Sequence, residues 1–555
     1  MTSTDPRQTF AAAVAHHRAG RLDEAEALYR QVLARVPNQV DSLHLLGVLS
    51  SQRGDFETAV TLIKRAIAQK QATPVAEFHN NIGIAYNGLG RRDEARRHFS
   101  LAVRLKPGYA EACNNLGALL NEEGDYDGAE ENFRRALASR PDYAKAYFGL
   151  GNVAFTRGRL TEALSHFDRA IALEPTYAEA YGNSGRTLLD LQRVADAEAR
   201  FLKALSLRPD MADSHYSLGV ALADRGAFAE ARAAYDRAIQ LNPAAADAHW
   251  NMSHLYLREG DFARGWEAYE WRLRRTKKLT RDVQRPRWDG RSDLKDRTIL
   301  IQTEQGYGDT FQFIRYAALV KDRGATVLVE CQPGSERLLA GVRGIDGIVS
   351  RADAPPHCDL YIELMSLPHL FATSVETVPR EVPYIFAPAD VAESWQARTR
   401  DVAGLKVGAV WRGNLENASH EKRSIPADIF TDVLSAANTG WFSLQRDAHA
   451  DEIAALAARG HIEDCGPLLN DWAETAGLIS AMDLVITVDT GVAHLAGAMG
   501  KPAWVLLPHA AEWRWLELRA DSPWYPSARL FRQSRAGDWH ALMIDVRGAL
   551  ESLAR

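Results

Sequence analysis

One period dominates the first half of the chain. Prolines fall at Pro107, Pro141, Pro175, Pro209 and Pro243, a strict 34-residue step that Pro74 and Pro37 extend with slips of one and three residues. Glycines keep the step at Gly83, Gly117, Gly151, Gly185 and Gly219; a second series runs Gly90, Gly124, Gly158, Gly226 and Gly260, with Gln192 in its gap. Small residues recur at Ala95, Ala129, Ala163, Ala197 and Ala231, and an aromatic follows four residues on at Phe99, Phe133, Phe167, Phe201, Tyr235 and Tyr269. Each unit therefore reads as two amphipathic helices joined by a turn. The first glycines and the alanines let the two helices approach, the second glycine ends helix one, and proline ends helix two.

With so many positions in phase, the pattern resembles the tetratricopeptide (TPR) repeat. It predicts an all-α TPR superhelix of about eight units over residues 1–278. The last unit departs from the rest, with Ser253, Gly265 and Arg272 where the others carry Gly, Ala and Ala. Terminal repeats depart in this way where they face another domain or solvent. Such a solenoid offers a groove for extended polypeptide. Asn81, Asn115, Asn183 and Asn251 share one repeat position, interrupted by Gly149 and Ser217. In the O-linked N-acetylglucosamine transferases a similar asparagine ladder binds the acceptor backbone, and an amide suits this because it both donates and accepts. A merely polar consensus position is the alternative.

At 555 residues the chain is too long for a single core. Its formal charge of −6 argues against a general nucleic-acid binder. No apolar run approaches the roughly 18–20 residues of a membrane span, and the N-terminus lacks the apolar stretch of a signal peptide. Cys113, Cys331, Cys358 and Cys465 have no metal-ligand spacing. A reduced, cytoplasmic protein is the expectation. Between Arg272 and Arg287 lie eight basic residues, Lys277 and Lys278 among them, against Asp282. This stretch reads as a solvated helix end and linker, or as a surface for an anionic partner. Pro286, Trp288 and Gly290 break the helical pattern, so 279–296 is expected to be a linker.

Strand and helix then alternate. Apolar β-type runs at 298–303, 325–330, 346–349 and 358–363 precede a Pro-rich passage around 380–395, and others follow at 405–411, 441–445, 461–463, 483–488 and 503–507. Alternating βα units make parallel sheets, and the interruption predicts two of them. The reading is an α/β domain of two Rossmann-like lobes, 297–395 and 396–555, facing a cleft at the C-terminal ends of their strands. In the second lobe, Asp483 to Pro502 passes from strand through a polar turn into a helix of small residues. Free backbone amides and the positive helix end then lie beside Thr490 and Gly491, a phosphate site in outline.

Glu304-Gln-Gly-Tyr-Gly-Asp-Thr-Phe-Gln-Phe-Ile-Arg-Tyr316, Trp411-Arg-Gly-Asn414, Arg423-Ser-Ile425 and Asp489-Thr-Gly-Val-Ala-His-Leu-Ala496 resemble, in that order, motifs of bacterial TPR proteins with a glycosyltransferase domain. The second half is similar to the ADP-heptose:lipopolysaccharide heptosyltransferases of the GT-B fold, and the whole layout to the O-linked N-acetylglucosamine transferases. The resemblance implies a metal-independent glycosyltransferase that moves a sugar from a nucleotide-sugar donor to Ser/Thr hydroxyls of a protein, with inversion; some such proteins modify flagellin. UDP-, ADP- and CMP-sugars all suit a site defined by phosphate contacts. The other readings are a lipopolysaccharide- or glycan-directed transferase with a TPR docking module, and a non-catalytic TPR scaffold.

The resemblance assigns the general base to Asp309, which follows Gly306-Tyr-Gly308 and can accept a hydroxyl proton within hydrogen-bond reach. An N-cap for a helix starting at Thr310 is the alternative. Gly308, Asp489, Thr490, Gly491 and His494 are expected around the donor phosphates, although Asp489 as a helix cap and His494 as a packing residue remain open. Arg423 follows a loop with Asn414, His420 and Lys422, and a guanidinium there forks onto phosphate oxygens. Trp411, Asn414, Gln445, Asp471 and Glu474, near strand ends, are candidates for base, ribose or sugar. Trp513 and Arg514, in the segment Glu512-Trp-Arg-Trp515, are further donor-site candidates by stacking or packing.

Overall fold

The computed structural model describes residues 5–70, 72–275, 280–414, 420–436, 438–458 and 460–553. Lys277 and Lys278 of the basic stretch lie outside the described residues, as does the side chain of His420. The chain divides into two compact units, Met1–Ala221 and Leu222–Arg555.

From Pro6 to Tyr269 the helices alternate with short turns on the 34-residue step, in eight pairs. A Cβ placed on Gly83, Gly151 or Gly185 would lie 2.5–2.7 Å from Phe99, Phe167 or Phe201 of the same unit. The glycine thus makes room for the aromatic of the second helix, which is buried in each case. Gly90, Gly124 and Gly158 hold φ between 71° and 83° after helix one, and Gln192 adopts 59° in the same place. Successive units of the first body are tied by a ladder of ion pairs, Glu77 to Lys106 at 2.8 Å and Glu179 to Arg208 at 2.7 Å, with Glu111 to Arg140 between them. These pairs are half-exposed, so each contributes at most ~1 kcal/mol, and burial of alanines and aromatics carries the stack.

The second unit contains the last repeat helices and both sheets. β1 (Thr298–Gln302), β2 (Thr326–Cys331), β3 (Gly347–Ser350) and β4 (Leu360–Glu363) form a parallel sheet ordered β3-β2-β1-β4. β5 (Leu405–Val410), β6 (Thr439–Ser443), β7 (Ile462–Asp464), β8 (Leu484–Val488), β9 (Ala503–Leu507) and β10 (Ala528–Arg532) form a second, ordered β10-β9-β8-β5-β6-β7, also parallel. β8 and β9 are fully buried and apolar throughout except for Thr487, as strands covered on both faces are. β10 is absent from the strands expected; its five residues follow a turn-rich aromatic segment and give no strand signal of their own.

Two boundaries differ from expectation. The division between compact units falls within the helix Ala212–Asp224, upstream of the 279–296 linker, because the last repeat packs its aromatics on the lobes. The helix that Asp309 would have capped from Thr310 starts earlier, at Tyr307, and breaks into Tyr307–Phe313 and Tyr316–Lys321. Asp309 allows the early start, because its carboxylate accepts from the Gly306 amide at 3.0 Å and satisfies the first turn.

Candidate active site

A cleft of about 920 Å³ opens between the two sheets, within the range of small-molecule sites. Gln305, Tyr307, Gly308 and Asp309 line it from the first lobe; Asn414, Arg423, Gln445, Asp471, Asp489, Thr490, Gly491, His494 and Arg514 line it from the second.

The two lobes meet at two glycines. A Cβ on Gly308 would lie 2.7 Å from His494 Cδ2 and 3.6 Å from Gly491 Cα, and one on Gly491 would lie 2.9 Å from the Trp472 ring. The N-terminal ends of Tyr307–Phe313 and Gly491–Ala498 therefore abut at the cleft. Thr490 caps the second helix in extended conformation, and Ala493 is the residue whose amide reaches back to the Thr490 carbonyl, at 3.1 Å. The amides of Gly491 and Val492 sit at the open end of that helix, where the helix dipole favours an anion. Arg423 Nη1 donates to the Asp489 carbonyl at 3.2 Å, while its Nε is buried with no acceptor among the described residues. A buried guanidinium N–H without a partner is costly, and a guanidinium suits an anion's oxygens.

Arg514 is the hinge of the site's electrostatics. It donates to Asp309 across the lobes and to Glu512 beside it, and its guanidinium lies 4.3 Å from the Trp513 ring centroid. Burial pushes the Asp309 carboxyl above the ordinary aspartate range, with Glu512 adding to the rise, while Arg514 and the Gly306 amide pull it back down. Burial likewise raises Asp489, against Arg423. Glu512 is pushed up by enclosure but ends below the ordinary range because Arg514, His254 and Arg423 surround it. His494 is held neutral by burial and by nearby Arg514, Arg315 and Arg423. Its Nδ1 shares a hydrogen bond with the Tyr525 hydroxyl at 3.0 Å, its ring stacks on Trp515 at 5.1 Å, and its Nε2 stands 3.8 Å from Asp489. A neutral ring makes that last contact a polar approach, not an ion pair. Asp309 is thus a carboxyl raised by burial and held against a cation at the cleft wall.

Three candidates are not brought to the cleft. Trp411 is fully buried, packed on Phe430, with its indole N–H on Glu452 at 3.4 Å. Glu474 turns the other way, accepting from Trp395 at 3.0 Å and approaching Arg337. Trp513 is core, against Trp266, Tyr269 and Phe313. In each case the residue beside a strand end or within an aromatic run projects to the packing side. Gln445 and Asp471 line the cleft but carry internal duties. Gln445 accepts from Arg412 N and donates to Asp447, and Asp471 caps Trp472–Ala481 and pairs with Arg337 at 2.9 Å. Glu512, Tyr307, Trp472, Arg446 and Asp447 line the cleft and were missed. A charged pair set between tryptophans at 512–515 was the signal for Glu512.

The asparagine series is half-buried, and each member's amide is bonded to a neighbouring side chain outside the series. Asn115 Nδ2 donates to Asn80 at 2.9 Å, Asn183 Nδ2 to Asn152 at 2.7 Å, and Asn81 Nδ2 meets His44 Nε2 at 2.9 Å. In the second unit Asn251 Nδ2 reaches the Tyr235 hydroxyl at 3.4 Å. Cys113, Cys331, Cys358 and Cys465 are buried and free. No described helix is long and apolar enough to cross a membrane, and no described cluster of His, Cys, Asp and Glu could hold a metal ion.

Repeats followed by two parallel-sheet lobes around a polar cleft define a TPR module joined to a GT-B-type domain. Comparison with known families agrees. Tetratricopeptide repeat profiles match residues 16–81, 76–109, 115–178 and 183–246. The profile of glycosyltransferase family 9 (heptosyltransferase) matches residues 380–520, which include Arg423, Thr490, Gly491 and Arg514 but not Asp309. The chain carries TPR repeats and a family 9 glycosyltransferase domain.

Protein FlbA of Caulobacter vibrioides is 31% identical over 48% of this chain and 48% of its own length, so the chain spans about half of the curated relative it matches. Among solved structures, Cut9–Hcn1 of the APC/C hetero-tetramer aligns over 48% of this chain and 52% of that one, at 19% identity and a TM-score of 0.40. The thermophilic TPR protein TTC0263 of Thermus thermophilus aligns over 33% of this chain and all of its own, at 25% identity and a TM-score of 0.29.

Proposed function

We propose that this chain transfers a sugar from a nucleotide-sugar donor to Ser/Thr hydroxyls of a protein held by its repeats. The observation that carries the reading is the meeting of Asp309 with the Thr490–Gly491 helix end across one cleft, through Gly308. Asp309 takes the proton of the acceptor hydroxyl as its oxygen attacks the anomeric carbon. The bond from that carbon to the phosphate oxygen breaks, and its electron pair leaves with the nucleotide phosphate. Attack from the face opposite the leaving group inverts the configuration. Arg423 and the Gly491–Val492 amides take the leaving charge, which is the work a metal would otherwise do, so the reaction needs no resident metal. Trp472 and Tyr307, with ring centroids 5.1 Å apart on the cleft wall, supply flat surface for the base or sugar.

The repeats favour a protein acceptor because their asparagines present amides in a row, although each must exchange an inter-repeat hydrogen bond for one to a peptide. Flagellin is the candidate acceptor that the family resemblance suggests. The heptosyltransferase description of the matched family favours a glycan acceptor as the second reading. Full-length protein with Asn81, Asn115 and Asn183 all changed to Ala separates the two. Under the first, transfer to protein drops at least tenfold while hydrolysis of the donor continues at its former rate. Undiminished transfer to protein removes the groove from the account, and transfer only to a glycan supports the second reading.

A further inference from the structure

The two chain segments that carry Asp309 and Arg514 share an unexpected support. Glu304 and Gln305 immediately precede the Gly306-Tyr-Gly-Asp309 turn, and Ala511 immediately precedes Glu512-Trp-Arg514. All of these residues lie in the second compact unit, as does the eighth repeat.

From that repeat, Arg272 forks onto Glu304, Nε to Oε1 and Nη2 to Oε2 both at 2.9 Å, with both side chains 1% exposed. Arg272 also donates to Glu270 and Ser366 at 2.7 Å. Tyr269, buried, accepts on its hydroxyl from Gln305 Nε2 at 2.7 Å. On the other side, Arg258 Nη1 donates to the Ala511 carbonyl at 2.6 Å, and its Nε and Nη2 reach Glu517 at 3.1 Å. Between the two sides sits Trp266. Its indole donates to the Thr373 carbonyl at 3.1 Å, and its ring meets Phe313 of the first lobe at 6.0 Å and Trp513 of the second at 5.4 Å.

The repeat pattern shows that these contacts replace ordinary repeat chemistry. Arg272 stands at the position of Ala102, Ala136, Ala170, Ala204 and Ala238, alanines buried between their two helices. Trp266 stands at the position of Arg96, Glu130, Leu164, Glu198 and Arg232. Four of those five are charged, whereas here the side chain is an indole between two lobes. A buried Arg–Glu pair is a weak stability device, because desolvation offsets its Coulombic gain; its use is to fix geometry.

We propose that the eighth repeat is a positioning element of the catalytic centre: Tyr269 and Arg272 set the Asp309 turn, Arg258 sets the Arg514 segment, and Trp266 holds the spacing between them. This rests on the proposed transferase reading only for its effect on turnover; the positioning itself is a property of the fold. None of these four side chains lines the cleft, so they act through Gln305, Glu304 and Ala511.

Hydrogen exchange on the full chain tests the claim, with Tyr269→Phe, which deletes one hydroxyl, and Arg272→Lys, which keeps the charge and loses the fork. Amides of 306–310 are expected to exchange at least tenfold faster in both variants, while those of 484–488 in β8 keep their protection. In transfer assays kcat falls about tenfold with donor KM unchanged. Combining Tyr269→Phe with Asp309→Asn adds no further loss over Asp309→Asn alone, because the hydroxyl matters only through the base. Unchanged exchange at 306–310 overturns the proposal, as does a Tyr269→Phe effect that persists in full beside Asp309→Asn. Faster exchange in a protein that transfers no sugar to any acceptor leaves the positioning role standing and removes the transferase reading. If Tyr269→Phe unfolds, Arg272→Lys carries the test on the same amides.

Discussion

Replacing Arg514 by Gln probes the electrostatic balance of the cleft. The wild-type guanidinium pairs with Asp309 across the lobes and with Glu512 alongside, and it is almost wholly buried. Burial raises the Asp309 carboxyl and Arg514 lowers it, so removing the cation leaves the rise opposed only by the Gly306 amide. An opposite charge in direct contact is worth about 1–3 pKa units, which is roughly 1.4–4 kcal/mol. A base must be ionised to work, so the acid limb of kcat/KM should move to higher pH in Arg514→Gln. Stability follows the same sign. A carboxyl whose folded pKa lies above its unfolded value destabilises the fold at high pH, and the loss is relieved as pH falls through the folded pKa. Arg514→Gln should therefore lower Tm more at pH 8 than at pH 5, the loss of stability reaching ~3–5 kcal/mol where Asp309 and Glu512 stay charged and unpaired. Titration of activity and thermal melts at both pH values read the two effects. An unmoved acid limb, or a Tm loss equal at the two pH values, would refute the reasoning.

Two further outcomes follow from the geometry. Gly308→Ala places a methyl 2.7 Å from His494. It should cost about 1–3 kcal/mol of stability and at least tenfold in turnover by parting the two helix ends, measured by melts and initial rates. Arg423→Met removes a cation with a buried free N–H, and calorimetry should show a nucleoside diphosphate binding about 10- to 100-fold more weakly.

The periodic half was the most legible. Gly83, Gly151 and Gly185 occupy one repeat position because each lies under the aromatic sixteen residues later, so sequence phase and packing are the same fact. The strand–turn–helix around Thr490–Gly491 was legible for a similar reason. An apolar strand, a polar turn and a small-residue helix leave little choice of local geometry. Side-chain direction in irregular chain was not. Trp513 and Arg514 are neighbours in a single 3-10 turn, yet one enters the core and the other the cleft. Trp411 and Glu474 failed likewise, since position beside a strand end says nothing of which side a rotamer takes. The Asp309–Arg514 pair spans 205 residues, and only the folded chain could bring the two together. Arg272 was visible as a departure from the repeat, but its partner Glu304 was not.

Intact-mass analysis tests the central claim most directly: candidate acceptor proteins, flagellin included, are incubated with nucleotide-sugars and either the wild-type chain or Asp309→Asn. The account predicts a gain equal to one or more sugar residues on a Ser/Thr-bearing protein with the wild type. With Asp309→Asn the gain should fall by about 100-fold or more, with nucleotide binding intact. An equal gain with Asp309→Asn, or no gain on any protein beside transfer to a glycan, would contradict it.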